Sequence, residues 1–152
     1  MSLLATPALA QETSISFGGL KGDVTQPVEM TSDSLEINQA DGTALFTGNV
    51  LVTQGAMKLS ANEVRASYSE DSKTIDKIVA SGKVLLVNAT DAAEADNADY
   101  TIATGAVVMT GNVLLTQGNA TIAAQKMTID LKTGTGRMEG RVTTTFVPGK
   151  KK

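Results

Sequence analysis

The sequence predicts an all-β protein stacked from repeated antiparallel hairpins of about 29 residues. Three observations point there. The stretch FTGNVLVTQG at residues 46–55 returns as MTGNVLLTQG at residues 109–118, and the register continues without a gap, MKLSANEVRASY lying over ATIAAQKMTIDL. Within these runs apolar residues recur at every second position: Phe46, Val50 and Val52 alternate with Thr47, Asn49 and Thr53, with Leu51 the exception. That is the period of a strand with one buried face. No stretch of useful length carries a helical period, and Pro7, Pro27 and Pro148 all fall outside the repeats.

The elements follow in chain order. Residues 1–10 read as the remnant of a signal peptide, the end of an apolar run with Ala8 and Ala10 where a signal peptidase needs small residues, so that Gln11 opens the mature chain. Residues 11–24 read as a flexible lead-in, and residues 25–148 form the β domain. Two signatures recur within it. A small polar residue followed by alternating apolar positions stands at Asp33, Asn62, Asp96 and Gln125, spaced 29, 34 and 29. A G-x-V signature stands at Gly48, Gly82, Gly111 and Gly140, spaced 34, 29 and 29. Four modules result, each built of short antiparallel strands, and the stacked body is expected to hold a dozen or more strands in all. The second module carries five extra residues, placed in SEDSKTIDK (69–77) as a longer loop. Turn signals separate the runs at Asp41-Gly42, Gln54-Gly55, Gln117-Gly118 and TGTG (133–136). A glycine inside a strand marks a bulge or tight bend, and this reading is preferred for the four signature glycines over close approach of a ligand. The chain ends with a strand in RVTTTFVP and a basic tail at residues 149–152.

Composition narrows the function. Three Phe, two Tyr and no Trp leave an interior packed by aliphatic side chains, which suits alkyl chains and offers no stacking platforms for nucleobases. The formal charge is −3, and three of the thirteen basic residues are the terminal lysines, so no basic stripe exists for a nucleic-acid partner. With no Cys and no His, thiolate nucleophiles, imidazole bases and the usual zinc ligand sets are excluded. No glycine loop with Lys and Ser/Thr is present to bind nucleotide. The acidic stretch NATDAAEADNAD (88–99) lacks the spacing of a calcium loop and reads as a solvated loop. No cofactor, no metal and no enzymatic activity are expected.

Alternation gathers one long inner surface: Val28, Met30, Leu35, Ile37, Phe46, Val50, Val52, Leu59, Val84, Leu86, Tyr100, Ile102, Met109, Val113 and Leu115, continued by residues such as Val64, Ile78, Met127, Ile129, Val142 and Phe146. In a stack of modules such a surface is extended, and it is either shut and dry or open along one side as a groove. The first and last modules also leave strand edges, at QPVEM and RVTTTFVP, that carry little blocking charge and invite pairing with another copy.

The segments QPVEMTSDSLEIN, FTGNVLVTQGAMKLSANEV, MTGNVLLTQG and RVTTTFVP resemble the LptA/OstA-like family of periplasmic lipopolysaccharide-transport proteins, over nearly the whole of the expected mature chain. The resemblance implies an open, twisted β-jelly-roll that holds the acyl chains of lipopolysaccharide between two sheets. Copies would join head to tail as a periplasmic bridge, meeting related jelly-roll domains of inner- and outer-membrane components. Val28 and Met30 fall at positions of the first strand where the family contacts lipid, and the other thirteen residues of the first fifteen above would line the groove. The alternative is a β scaffold with a closed core and no lipid ligand.

Overall fold

The predicted turns join strands of an antiparallel meander that follows chain order from residue 43 to residue 139. The computed structural model describes residues 14–16, 24–71, 74–88 and 91–148. The expected signal remnant at 1–10 and the basic tail at 149–152 lie outside the described residues. The strands are β1 (Ser14–Ser16), β2 (Val28–Thr31), β3 (Ser34–Asn38), β4 (Thr43–Gln54), β5 (Met57–Tyr68), β6 (Ile75–Asn88), β7 (Asp91–Thr101), β8 (Ala106–Gln117), β9 (Ala120–Asp130), β10 (Thr135–Glu139) and β11 (Thr143–Phe146). Their order is β1-β10-β9-β8-β7-β6-β5-β4-β2, with β3 also on β4 and β11 also on β9. The expected lead-in therefore contains a strand, β1, which pairs with β10 at the opposite end of the stack from β2.

Eleven strands are described where the modules predicted a dozen or more, because the two halves of each long strand remain one bent strand. The bends coincide with the signatures. In β4, β6 and β8 a residue pair, Gly48-Asn49, Gly82-Lys83 or Gly111-Asn112, opposes a single residue of the neighbouring strand. These are β-bulges, and they sharpen the local bend and twist. Gly140-Arg141 separates β10 from β11 in the same way, opposite Gln125, and Ser32 and Asp33 separate β2 from β3. The bulge glycines have φ of 83° to 86°, and the residue after each is also left-handed, at 49° to 51°.

The row of corners divides the sheet into two layers. One holds β3, β10, β1 and the adjoining halves of β4 to β9; the other holds β2, β11 and the remaining halves. The bulged strands keep one parity inward throughout. Their partners change parity at the signature residue, with two exposed residues in succession at 62–63, 96–97 and 125–126. Inward side chains from both layers merge into a single core that includes Val50, Val64, Ile78, Leu86, Met109, Met127 and Ile129.

Two sequence expectations are corrected. The acidic stretch is the strand β7, not a solvated loop: Ala93, Ala95, Ala98 and Tyr100 are buried, while Glu94 and Asp96 are exposed. The inserted segment is a shorter loop than residues 69–77, because Ile75 pairs with Tyr68 and packs on the core, drawing Ile75, Asp76 and Lys77 into β6 across a register shift.

Candidate functional site

Close approach at the corners explains why glycine stands there. A Cβ on Gly48 would lie 2.6 Å from the Asp33 carboxylate, on Gly82 2.7 Å from the Asn62 amide, and on Gly111 2.6 Å from the Asp96 carboxylate. At Gly140 the contact would be Cβ of Gln125, at 2.8 Å. The two signatures are thus the two sides of one contact. The Asn49 and Asn112 side-chain amides donate to Asp33 and Asp96 at 2.9 and 3.1 Å, and the Asp33 and Gln125 N–H groups donate to the carbonyls of Gly48 and Gly140. The corners are structural, and the apolar seam lies inside them.

The structure divides the fifteen predicted seam residues into two groups and one outlier. Phe46, Val50, Val52, Leu59, Val84, Leu86, Tyr100, Met109, Val113 and Leu115 are buried together between the layers. Ile102 sits in the turn after β7, half-buried against the core. The remaining four gather at the entry end: Val28 and Met30 are half-buried on β2, while Leu35 and Ile37 on β3 are 51% and 60% exposed. Leu35 and Ile37 oppose Phe46 and Ala44, both buried, so they belong to the inner face, which is open to water here. A concavity of about 450 Å³ lined by Ile37, Gly42, Thr43 and Tyr68 adjoins them.

At the exit end the other layer is the open one. Phe146 opposes Ala120 and is 67% exposed, and Val142 is also exposed. In the layer of β10, by contrast, Met138 is buried opposite Met127. The seam is therefore closed along its middle and shows apolar side chains at both ends, on opposite layers.

The closure includes a polar bridge that the sequence reading missed. The Tyr100 hydroxyl donates to Oε1 of Gln54 at 2.6 Å, and Nε2 of Gln54 donates to the carbonyls of Val24 and Gln26 at 3.1 and 2.9 Å. Gln54 ends β4 in one layer, and Tyr100 lies near the far end of β7 in the other, with β5 and β6 between them in the sheet. The bond forms because the layers fold toward each other across the mouth opposite the corners. Burial pushes the Tyr100 phenol up to about 12, against a smaller opposing effect of its hydrogen bond to Gln54. The only sequence trace is a glutamine at an inward parity position, Gln54, repeated as Gln117. The latter donates to the buried Asp91 at 2.8 Å.

Known proteins resemble this chain in sequence and in fold. Residues 29–135 match the family of the LptA/LptD N-terminal domain, described as lipopolysaccharide transport proteins. An uncharacterised protein of Rhizobium meliloti is 31% identical, over 99% of this chain and 87% of its own length. The lipopolysaccharide export system protein LptA of Escherichia coli is 31% identical, over 96% of this chain and 83% of its own. The crystal structure of LptH from Pseudomonas aeruginosa, titled the LptA-homologous periplasmic component of a lipopolysaccharide transport device, has the same fold: TM-score 0.74 at 20% identity, covering 84% of this chain and 99% of that one.

Proposed function

Since the chain belongs to the LptA/LptD N-terminal domain family of lipopolysaccharide-transport proteins, we propose that it carries lipopolysaccharide through the periplasm, with acyl chains held in the seam between its layers and copies joined head to tail. The observation that carries this reading is the surfacing of the inner face at the ends, through Leu35 and Ile37 at one and Phe146 at the other. Burial of an alkyl chain is worth about 0.8 kcal/mol per methylene, so roughly ten carbons contribute about 8 kcal/mol. Parting the layers gives up the Tyr100–Gln54 bond, a net loss of about 1 kcal/mol, while the inner side chains exchange one apolar neighbour for another. Relative to an alkyl chain in water, the balance favours loading. Saccharide and phosphates stay in solvent.

The two edges fit each other. Strands of the bulged kind, β4, β6, β8 and the β10–β11 pair, alternate with strands of the polar-signature kind, β5, β7 and β9. Beneath β1, which lies on β10, the last strand pair at the exit is of the bulged kind, and the stack begins at the entry with β2–β3, which carries Asp33 and is of the other kind. A second copy continues the alternation without interruption. The same chemistry fits the related jelly-roll domains expected on inner- and outer-membrane components.

A second reading, a scaffold with a closed core and no lipid ligand, draws on the ten seam residues shut from water. Photo-crosslinking residues at Val28, Met30, Leu35 and Ile37 separate the two. The carrier yields lipopolysaccharide adducts at these positions and fewer at exposed outer positions such as Arg65. A uniform absence of adducts leaves the scaffold standing.

A further inference from the structure

The exit edge is only half free. β1 lies on β10, Ser14 opposite Arg137, Ile15 opposite Gly136 and Ser16 opposite Thr135, whereas the outer side of β11 has no strand on it among the described residues.

What a second copy would place on that edge follows from the repeats. In all three pairings that leave a bulged strand for the next one, the bulge opposes a signature residue: Gly48-Asn49 with Asn62, Gly82-Lys83 with Asp96, Gly111-Asn112 with Gln125. Carried one step on, Gly140-Arg141 meets Asp33 of a second copy. This single register sets that copy's Ser34–Asn38 against Thr135–Glu139 and its Val28–Thr31 against Thr143–Phe146, so both strand pairs coincide end to end. It brings Leu35 opposite Met138 and Val28 opposite Phe146, which covers exposed apolar side chains at both ends. It also brings Glu36 opposite Arg137, an attractive cross-strand pair.

β1 covers part of the same track in the same antiparallel sense. Ser14, Ile15 and Ser16 stand at the positions that Glu36, Ile37 and Asn38 of the second copy would take, isoleucine for isoleucine. We propose that β1 is an intramolecular stand-in for the β3 of an incoming copy, so that joining at the exit end is a strand exchange. The second copy first docks its β2 on the free β11, and its β3 then displaces β1 from β10. The proposal rests on the head-to-tail reading. The signal cleavage expected before Gln11 leaves β1 in the mature chain.

The chain has no cysteine of its own, which permits a direct test on the full chain. Ser16→Cys with Thr135→Cys joins register partners, and the disulfide should form on oxidation. Sedimentation velocity across a concentration series should then show self-association weakened at least about tenfold in the oxidised form and restored on reduction, the equivalent of roughly 1.4 kcal/mol. Ile15→Pro, which weakens the β1 pairing, should shift association about tenfold the other way. Failure of the disulfide to form, or equal association of oxidised and reduced protein, overturns the stand-in. Ile37→Asp, remote from β1, reports on the head-to-tail reading itself. If it weakens association while the disulfide has no effect, only the stand-in falls. If wild type, Ile15→Pro and the reduced double variant all stay monomeric at every concentration, both fall.

Discussion

At the corner glycines two requirements coincide, a left-handed backbone and no room for a Cβ. Gly111 has φ of 86° and the Asp96 carboxylate within 2.6 Å of where a Cβ would stand. Gly118 has φ of 56° and open space around it. Gly111→Ala should therefore lower stability in urea by about 2–4 kcal/mol, and Gly118→Ala by only about 1 kcal/mol, the difference combining the contact with Asp96 and the larger φ at Gly111. Tyr100 gives a second residue-scale expectation. Well below pH 10 its phenol is protonated in folded and unfolded chains alike; as pH rises through 10 towards about 12 the unfolded chain releases a proton that the folded chain retains. Stability should fall as pH rises through that window, and unfolding curves of Tyr100→Phe should lack this part of the slope. Sequence spacing showed the two sides of each corner as separate signatures but not their contact, since a repeat does not say which neighbouring strand a residue meets. For Tyr100 and Gln54, 46 positions apart in different modules, no local pattern exists to be read.

At the scale of elements, the strands with strong alternation of β-branched residues, β4 and β8, lie where the pattern put them. The first half of β7, before the signature at Asp96, was missed because alanine and aspartate are poor strand formers, and its place is set by packing rather than propensity. Ala98 is buried between Ala80 and Met109 on the adjoining strands. Ala98→Leu should overfill this point and destabilise by about 1–3 kcal/mol in urea titration, whereas Ala92→Leu, half-buried on the other face, should change stability little. The ends of the seam were legible as apolar positions of inward parity. That Leu35, Ile37 and Phe146 are uncovered depends on which strand ends the stack in each layer, which is a property of the assembled sheet. Phe146→Asp should leave the monomer folded, its side chain being exposed, and weaken self-association about tenfold in light scattering.

For the molecule as a whole, the proposed loading with lipid is a competition between closed and parted layers. Each strand pairs mainly with its sequence neighbours, so in the carrier reading the layers part at the mouth by flexing along the row of bulged corners, with every ladder intact. The Tyr100–Gln54 bridge and its extension to the Val24 and Gln26 carbonyls act on the closed arrangement. In Tyr100→Phe the buried Gln54 oxygen loses its donor while the layers are closed and can reach water once they part. Closure is then penalised by about 1–2 kcal/mol, which converts to roughly a 5- to 30-fold gain in the parted population. Lipopolysaccharide bound at subsaturating concentration, read by native mass spectrometry, should rise in the same proportion, while a control at the exposed corner, Lys83→Gln, should match wild type. Equal loading of wild type and Tyr100→Phe would place lipid entry at the open ends, past Leu35 and Ile37, without separation of the layers at the mouth.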